Sequence, residues 1–226
     1  MKRKLIFAVA MLFTISLCAQ DIEKKQELKG EISSSLSALR LATDLVKYGY
    51  SQQTALPLID ALQIINDNPT QPLKAEREGD KVDTSKKDGK TGEMTLDYEK
   101  ILADAKEFAA GNDYLLKLIS QIETEKGNHR GAVNGPSRVY ETVNGHSTDT
   151  YRINFVANYL AEVVVSGDGD TDLDLYVYDS NGNLIAKDED YTDGCYVRWC
   201  PAWTGRFIIK IVNRGPVYNR YVLLTN

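Results

Sequence analysis

The chain has 226 residues and a formal net charge of −5, with 42% hydrophobic and 26% charged residues. That is enough apolar material for one large domain or two small ones and rules out global disorder. The acidic balance argues against a nucleic-acid partner, which calls for a basic stripe.

The N-terminus reads as an export signal. The basic MKRK segment precedes 13 residues, LIFAVAMLFTISL, with no charge, and then Cys18-Ala19-Gln20. A positive start, a short apolar stretch and small residues near a cut describe a secretory signal peptide over residues 1–19. The stretch is shorter than the ~20 residues a spanning helix needs, so no transmembrane segment is expected after signal removal. Losing Lys2, Arg3 and Lys4 takes the charge from −5 to −8. A secreted, periplasmic or cell-surface location follows. Cys18 admits a second reading, a lipid anchor on a mature N-terminal cysteine, although Leu17 is larger than such signals prefer.

Residues 20–130 carry helical spacing. Leu28, Ile32, Leu36, Leu39, Ala42 and Val46 recur every three or four positions and predict an amphipathic helix over 22–49, weakened at Gly30 and ending at Gly49. A second helix is expected from Gln53 to Asn66, with Pro57 in its first turn and Asn68-Pro69 as its stop. Residues 69–95 are rich in charge, glycine and proline and read as a flexible loop. Tyr98, Ile101, Leu102, Ala105 and Phe108 predict a third helix. Gly111 breaks it, and Asn112 caps a fourth that carries Leu115, Leu118, Ile119 and Ile122. Four such stripes bury one another as a small α-helical bundle.

From Gly131 the signals are β. Asn134-Gly135, Asn144-Gly145 and Asn181-Gly182 are turn pairs. Between and after them lie SRVYETV, TYRINFVA, YLAEVVVS, DLDLYVY, NLIAKD, CYVRW, RFIIKIVN and RYVLLT, about eight short strands with no helix between them. The fold class is therefore α+β in two domains, a helical bundle followed over 131–226 by an antiparallel β-sandwich.

The stretch SGDGDTDLDLYVYDSNGN places Asp168, Asp170, Asp172 and Asp174 at every second position, running into a strand. Leu173, Leu175 and Val177 point to the core; Asp172, Asp174, Tyr176 and Tyr178 point away. Aspartate is a poor strand residue. Either the four acids hold a cation, with calcium the natural choice because it takes 6–8 oxygen ligands, or they form a solvated turn. An EF-hand is excluded because the sixth loop position is Leu173 rather than glycine.

The segments GDGDTDLDLYVYDSNGNLIAKDED and CPAWTGRFIIKIVNRG resemble the bacterial pre-peptidase C-terminal domain family. Its members stand beside the catalytic domains of secreted proteases and are similar to the collagen-binding domains of clostridial collagenases. The matching elements are the Gly/Asp turn into the Asp-x-Asp-Leu-Tyr-Val strand, and Trp203-Thr204-Gly205 leading into Phe207-Ile208-Ile209. The resemblance covers about residues 132–226. It implies a jelly-roll-like sandwich and, for some members, calcium bound near the acidic turn, here Asp168, Asp170, Asp172 and Asp174. The family's modules usually follow a peptidase, whereas a helical region precedes this one.

Catalytic motifs are absent: no His-Glu-x-x-His, no Gly-x-Ser-x-Gly, no phosphate loop and no dinucleotide glycine pattern. The two histidines, His129 and His146, sit in polar loop sequence. Cys195 and Cys200 invite a disulfide in an exported protein, but five residues of strand separate their Cα atoms by ~16 Å, so a bridge needs a turn or bulge; otherwise both are free thiols. Trp199, Trp203, Tyr191 and Tyr196 serve either a binding surface or the core. The expected role is a non-catalytic exported protein whose sandwich is an accessory or binding module for a protein or polysaccharide surface. The alternatives are a cryptic secreted hydrolase and a surface-anchored adhesin.

Overall fold

The structure, a computed structural model, describes residues 28–82, 96–126 and 135–226. The expected signal segment and His129 lie outside them. Among the described residues are four helices, α1 (Ser34–Gln52), α2 (Ala55–Asp67), α3 (Tyr98–Phe108) and α4 (Asp113–Lys126). Ten strands accompany them: β1 (Gln71–Pro72), β2 (Glu76–Glu78), β3 (Ser137–Val143), β4 (Thr148–Phe155), β5 (Ala161–Gly167), β6 (Leu173–Tyr178), β7 (Leu184–Asp188), β8 (Gly194–Trp199), β9 (Gly205–Asn213) and β10 (Asn219–Thr225). No helix among the described residues is long and apolar enough to cross a membrane.

The strands form two five-stranded sheets, β1-β3-β10-β5-β8 and β2-β4-β9-β6-β7. Every pair is antiparallel except β1–β3. From β3 onward the order is that of a jelly roll. One core lies between the sheets, with Trp199, Phe207, Leu175, Ile209 and Leu223 at or near zero exposure. Strand alternation aims Leu173, Leu175 and Val177 into it, as the sequence pattern requires.

A second core joins the helices to the first sheet. Val164, Val222 and Leu224 point away from the sandwich interior and are buried with Leu36, Leu39, Leu58, Leu62 and Ile101 of the helices. Strand β5 is consequently buried at all seven positions, the pattern of a strand covered on both faces. The molecule has three layers: helices, first sheet, second sheet.

Helix α1 starts twelve residues later than its apolar spacing predicts and continues past Gly49 to Gln52, closed by Gln53 in the left-handed conformation at φ 49°. Residues ahead of it are drawn off by the sandwich. The Leu28 amide donates to the Arg198 carbonyl at 2.9 Å, and Arg198 Nη1 donates to the Glu31 carbonyl at 2.8 Å. Only glycine at position 30 allows this approach, since a Cβ would stand 2.3 Å from Arg198 Nη1. The other helices begin close to where their signals put them. Asp97 accepts from the amides of Glu99 and Lys100 at 3.0 and 3.2 Å, and Asn112 from that of Leu115 at 3.2 Å.

The region read as a flexible loop over 69–95 is corrected in its first part; residues 83–95 lie outside the described residues. Residues 71–78 form a strap across the open side of the sandwich. Strand β1 pairs with β3 in one sheet, and β2 pairs with β4 in the other. Leu73 and Ala75 pack against the inter-sheet core. Two small apolar groups suffice because the strap fills a narrow seam between existing layers.

The junction of helices and sandwich contains a fully buried carboxylate. Glu162 of β5 accepts from the Ser33 amide, at the start of α1, at 3.0 Å and from the Tyr196 hydroxyl at 2.5 Å. Replacing it, Glu162→Ala, leaves the Ser33 amide without its acceptor and the Tyr196 hydroxyl with only the Glu31 carbonyl at 3.4 Å, and is expected to cost about 1–3 kcal/mol. A lowered urea midpoint, with faster amide exchange at the start of α1, is the expected measurement.

Candidate functional site

The four aspartates sit at one end of the sandwich, in the β5–β6 connection and the first turn of β6. They do not form one donor set. Asp168 has no exposed surface. One of its oxygens accepts from the Arg220 amide at 3.0 Å, and the other from the Asp170 amide at 3.3 Å. It therefore ties the end of β5 to the start of β10. Burial pushes its carboxyl up to about 6, with the Arg220 amide opposing and the charge of Asp170 adding.

Asp174 is occupied by Arg214 of the β9–β10 connection. Both Nε and Nη2 lie 2.5 Å from its Oδ2. Arg214 Nη2 also donates to the Tyr176 hydroxyl at 2.7 Å, and that hydroxyl donates to Glu189 at 2.5 Å. The bond to Asp174 is the main reason the Arg214 guanidinium is held above its ordinary value. Asp172 binds the same arginine through its backbone, accepting from the Arg214 amide at 3.0 Å. Burial raises its carboxyl, and neighbouring Asp174 and Asp190 add to the rise. Among the described residues no three His, Cys, Asp or Glu side chains converge to hold a metal ion. A calcium site at Asp168, Asp170, Asp172 and Asp174 stays an expectation from the sequence, to be tested by calcium-dependent melting. Amides bind both oxygens of Asp168 and a guanidinium binds Asp174, so a divalent cation there would share these oxygens with them.

Cys195 and Cys200 are not joined by a disulfide. Cys195 lies inside β8 and Cys200 just beyond it, so no turn brings them together. Burial pushes the Cys195 thiol well up, and its Sγ donates to the Leu173 carbonyl at 3.0 Å. It is a core residue, not a nucleophile. The late aromatic residues divide. Trp199 is fully buried, Trp203 stacks on Phe207 at 5.7 Å, Tyr196 binds Glu162, and Tyr191 is 97% exposed at the tip of the β7–β8 loop.

Two features were missed from the sequence. The first is a buried polar cluster where the strap meets the sandwich. Asp149 of β4, 1% exposed, accepts from Arg77 Nη2 of β2 at 2.9 Å and from the Tyr221 hydroxyl of β10 at 2.5 Å. The Tyr221 hydroxyl lies 2.6 Å from that of Tyr151. This cluster bolts strap, first sheet and second sheet together. Gly79 fits because a Cβ there would lie 2.1 Å from Asp149 Oδ1. The second feature is a groove of about 450 Å³ on the outer face of the second sheet. Thr150, Arg152, Ile208 and Lys210 form its floor, and Glu78 and Asp80 form the wall that the strap supplies. A charged loop sequence gave no signal for such a wall.

No protein-family model matches the sequence, and no curated protein matches it. Among solved structures the chain is similar to a periplasmic inhibitor of g-type lysozyme from Aeromonas hydrophila, at 14% identity over 40% of this chain and 84% of that one, with a TM-score of 0.32. It is similar to the pre-peptidase C-terminal domain of a Bacillus anthracis collagenase, at 14% identity over 40% and 88%, with a TM-score of 0.33. A Salmonella Typhimurium inhibitor of g-type lysozyme follows at 13% identity over 40% and 89%, with a TM-score of 0.28.

Two outcomes are expected at the acidic end. Melting temperatures with millimolar calcium and with chelator should coincide; a rise with calcium that chelator reverses would establish a metal site there. The folded Asp168 carboxyl lies above the unfolded value of ~3.9. The native state therefore binds more protons between about pH 4 and 6, and the contribution of Asp168 to stability declines as pH rises through that window. Asp168→Asn removes this dependence. The wild-type-minus-variant stability difference should fall by about 2–3 kcal/mol from pH 4 to pH 7, read from urea melts at each pH. A flat difference contradicts the buried carboxylate.

Proposed function

We propose that this chain is an exported, non-catalytic binding protein, in which the helices and the first sheet form a rigid backing and the second sheet meets the partner. The observation that carries this reading is the inequality of the two outer sheet faces. The first is sealed by α1 through Val164, Val222 and Leu224. The second keeps Tyr176, Tyr178, Ile208 and Lys210 half-exposed, beside an open groove. A flat face on rigid strands holds its side chains in fixed register, which favours recognition. Asp168, Cys195 and Tyr221, each perturbed by burial, are committed to internal bonds. The export signal read in residues 1–19 supports a location outside the cytoplasm, where a recognition module of this kind meets cell-surface polymers or other exported proteins.

The test is a parallel screen of the purified chain. Binding is measured against exported proteins and envelope polysaccharides, and turnover against peptide, ester and glycan substrates. Saturable binding without turnover, weakened by changes on the second sheet and not on the helices, is the expected result. Turnover that disappears on replacing one side chain would establish an enzyme instead.

A further inference from the structure

We propose that the groove on the second sheet binds an uncharged polysaccharide. The inference rests on the binding-module reading and names the partner of that face. Its first ground is charge balance. The protein is acidic overall, yet the groove carries two cations, Arg152 and Lys210, against two carboxylates, Glu78 and Asp80. Arg152 donates to Glu78 at 2.9 Å, and Asp80 accepts from Ser147 at 2.6 Å. A charged polymer gains little from such a lining. A chain of hydroxyl groups, each both donor and acceptor, is matched by carboxylates, a guanidinium, an ammonium and the hydroxyls of Thr148 and Thr150 side by side.

The second ground is the floor next to the groove. Cross-strand register places Ile208 beside Tyr178 and Lys210 beside Tyr176. The two tyrosine rings stack at 6.3 Å with an interplanar angle of 22°, and Lys210 Nζ lies 5.3 Å from the Tyr178 ring centre. The tyrosine pair and Ile208 give this strip an apolar component for the C–H groups of a sugar, bordered by polar groups for its hydroxyls. Lys210 has no carboxylate partner among the described residues, so its ammonium keeps donors for a ligand. The volume of about 450 Å³ lies within the range of small-ligand sites. A protein partner fits less well. The centre of a protein interface is depleted in charge and rich in buried aromatic anchors, whereas the centre here is Thr150, Arg152 and Lys210.

The experiment is affinity electrophoresis of the full chain through gels containing laminarin, hydroxyethyl cellulose or dextran, with polygalacturonate and poly-glutamate as acidic arms. Retardation is expected in at least one neutral polymer, and it should persist in half-molar salt. Lys210→Ala and Thr150→Trp should each weaken it tenfold or more while leaving the melting temperature within a few degrees. Tyr191→Ala, on a loop away from the groove, should leave it unchanged. Retardation only in the acidic gels, abolished by salt, overturns the proposal, as does retardation in no gel or retardation that both groove variants retain. If no gel retards the chain but an exported protein binds through Lys210, the binding-module reading survives and the polysaccharide does not.

Discussion

The architecture depends on one constraint: the middle of the first sheet is apolar on both sides. Val163, Val165 and Leu223 fill the space between the sheets, while Val164, Val222 and Leu224 face the opposite way with no exposed surface. Burying side chains of this size is worth about 1.5–3 kcal/mol each, so a bare outer face would be a sticky liability. The helices answer that requirement. α1 lies against β5 and β10, and α2 packs against the other three helices. Once one sheet is sealed in this way, recognition is left to the other sheet and to the loops at the ends.

The same economy governs the charges. The acidic end is neutralised from within, by Arg214 on Asp174 and by main-chain amides on Asp168. At the opposite edge of the second sheet, Arg77 supplies the counter-charge for buried Asp149. A carboxylate taken out of water is tolerated only when its oxygens find such partners. In each case the partner lies far along the chain: 40 residues for Arg214 and 72 for Arg77. Both pairs fasten a connecting segment to the strands, so the charges act as clamps on topology.

That distance explains what could be read in advance. Alternation and turn residues located all eight strands from Ser137 onward, because a strand with one wet or one differently packed face writes its period into neighbouring residues. Asp97 and Asn112 announced their helices for the same local reason. The start of α1 was misplaced because Leu28 and Ile32 continue the helical spacing, while the competing bond from Leu28 to Arg198 is 170 residues away. The strap was hidden because Leu73 and Ala75 are its only inward apolar groups, amid charge and proline. The aspartate ladder was visible, but its meaning was not. Period alone cannot tell that Asp168 would be sealed against β10 or that Asp174 would face an arginine from another loop. The groove was out of reach, since its wall at Glu78 and Asp80 and its floor at Thr150, Arg152, Ile208 and Lys210 come from three separate segments of the chain.

The order of strands sets a schedule for folding. β9 and β10, the last strands in the chain, occupy central positions, with β9 between β4 and β6 and β10 between β3 and β5. Until residues 205–225 are available, β3, β4, β5 and β6 each lack a neighbour and neither sheet is continuous, and most pairings that do form span long stretches of sequence. Such topologies assemble slowly. A shortened chain lacking residues 219–225 would not be a trimmed sandwich. It would be a first sheet split down its middle, with two raw edges and no surface on which the helices could rest.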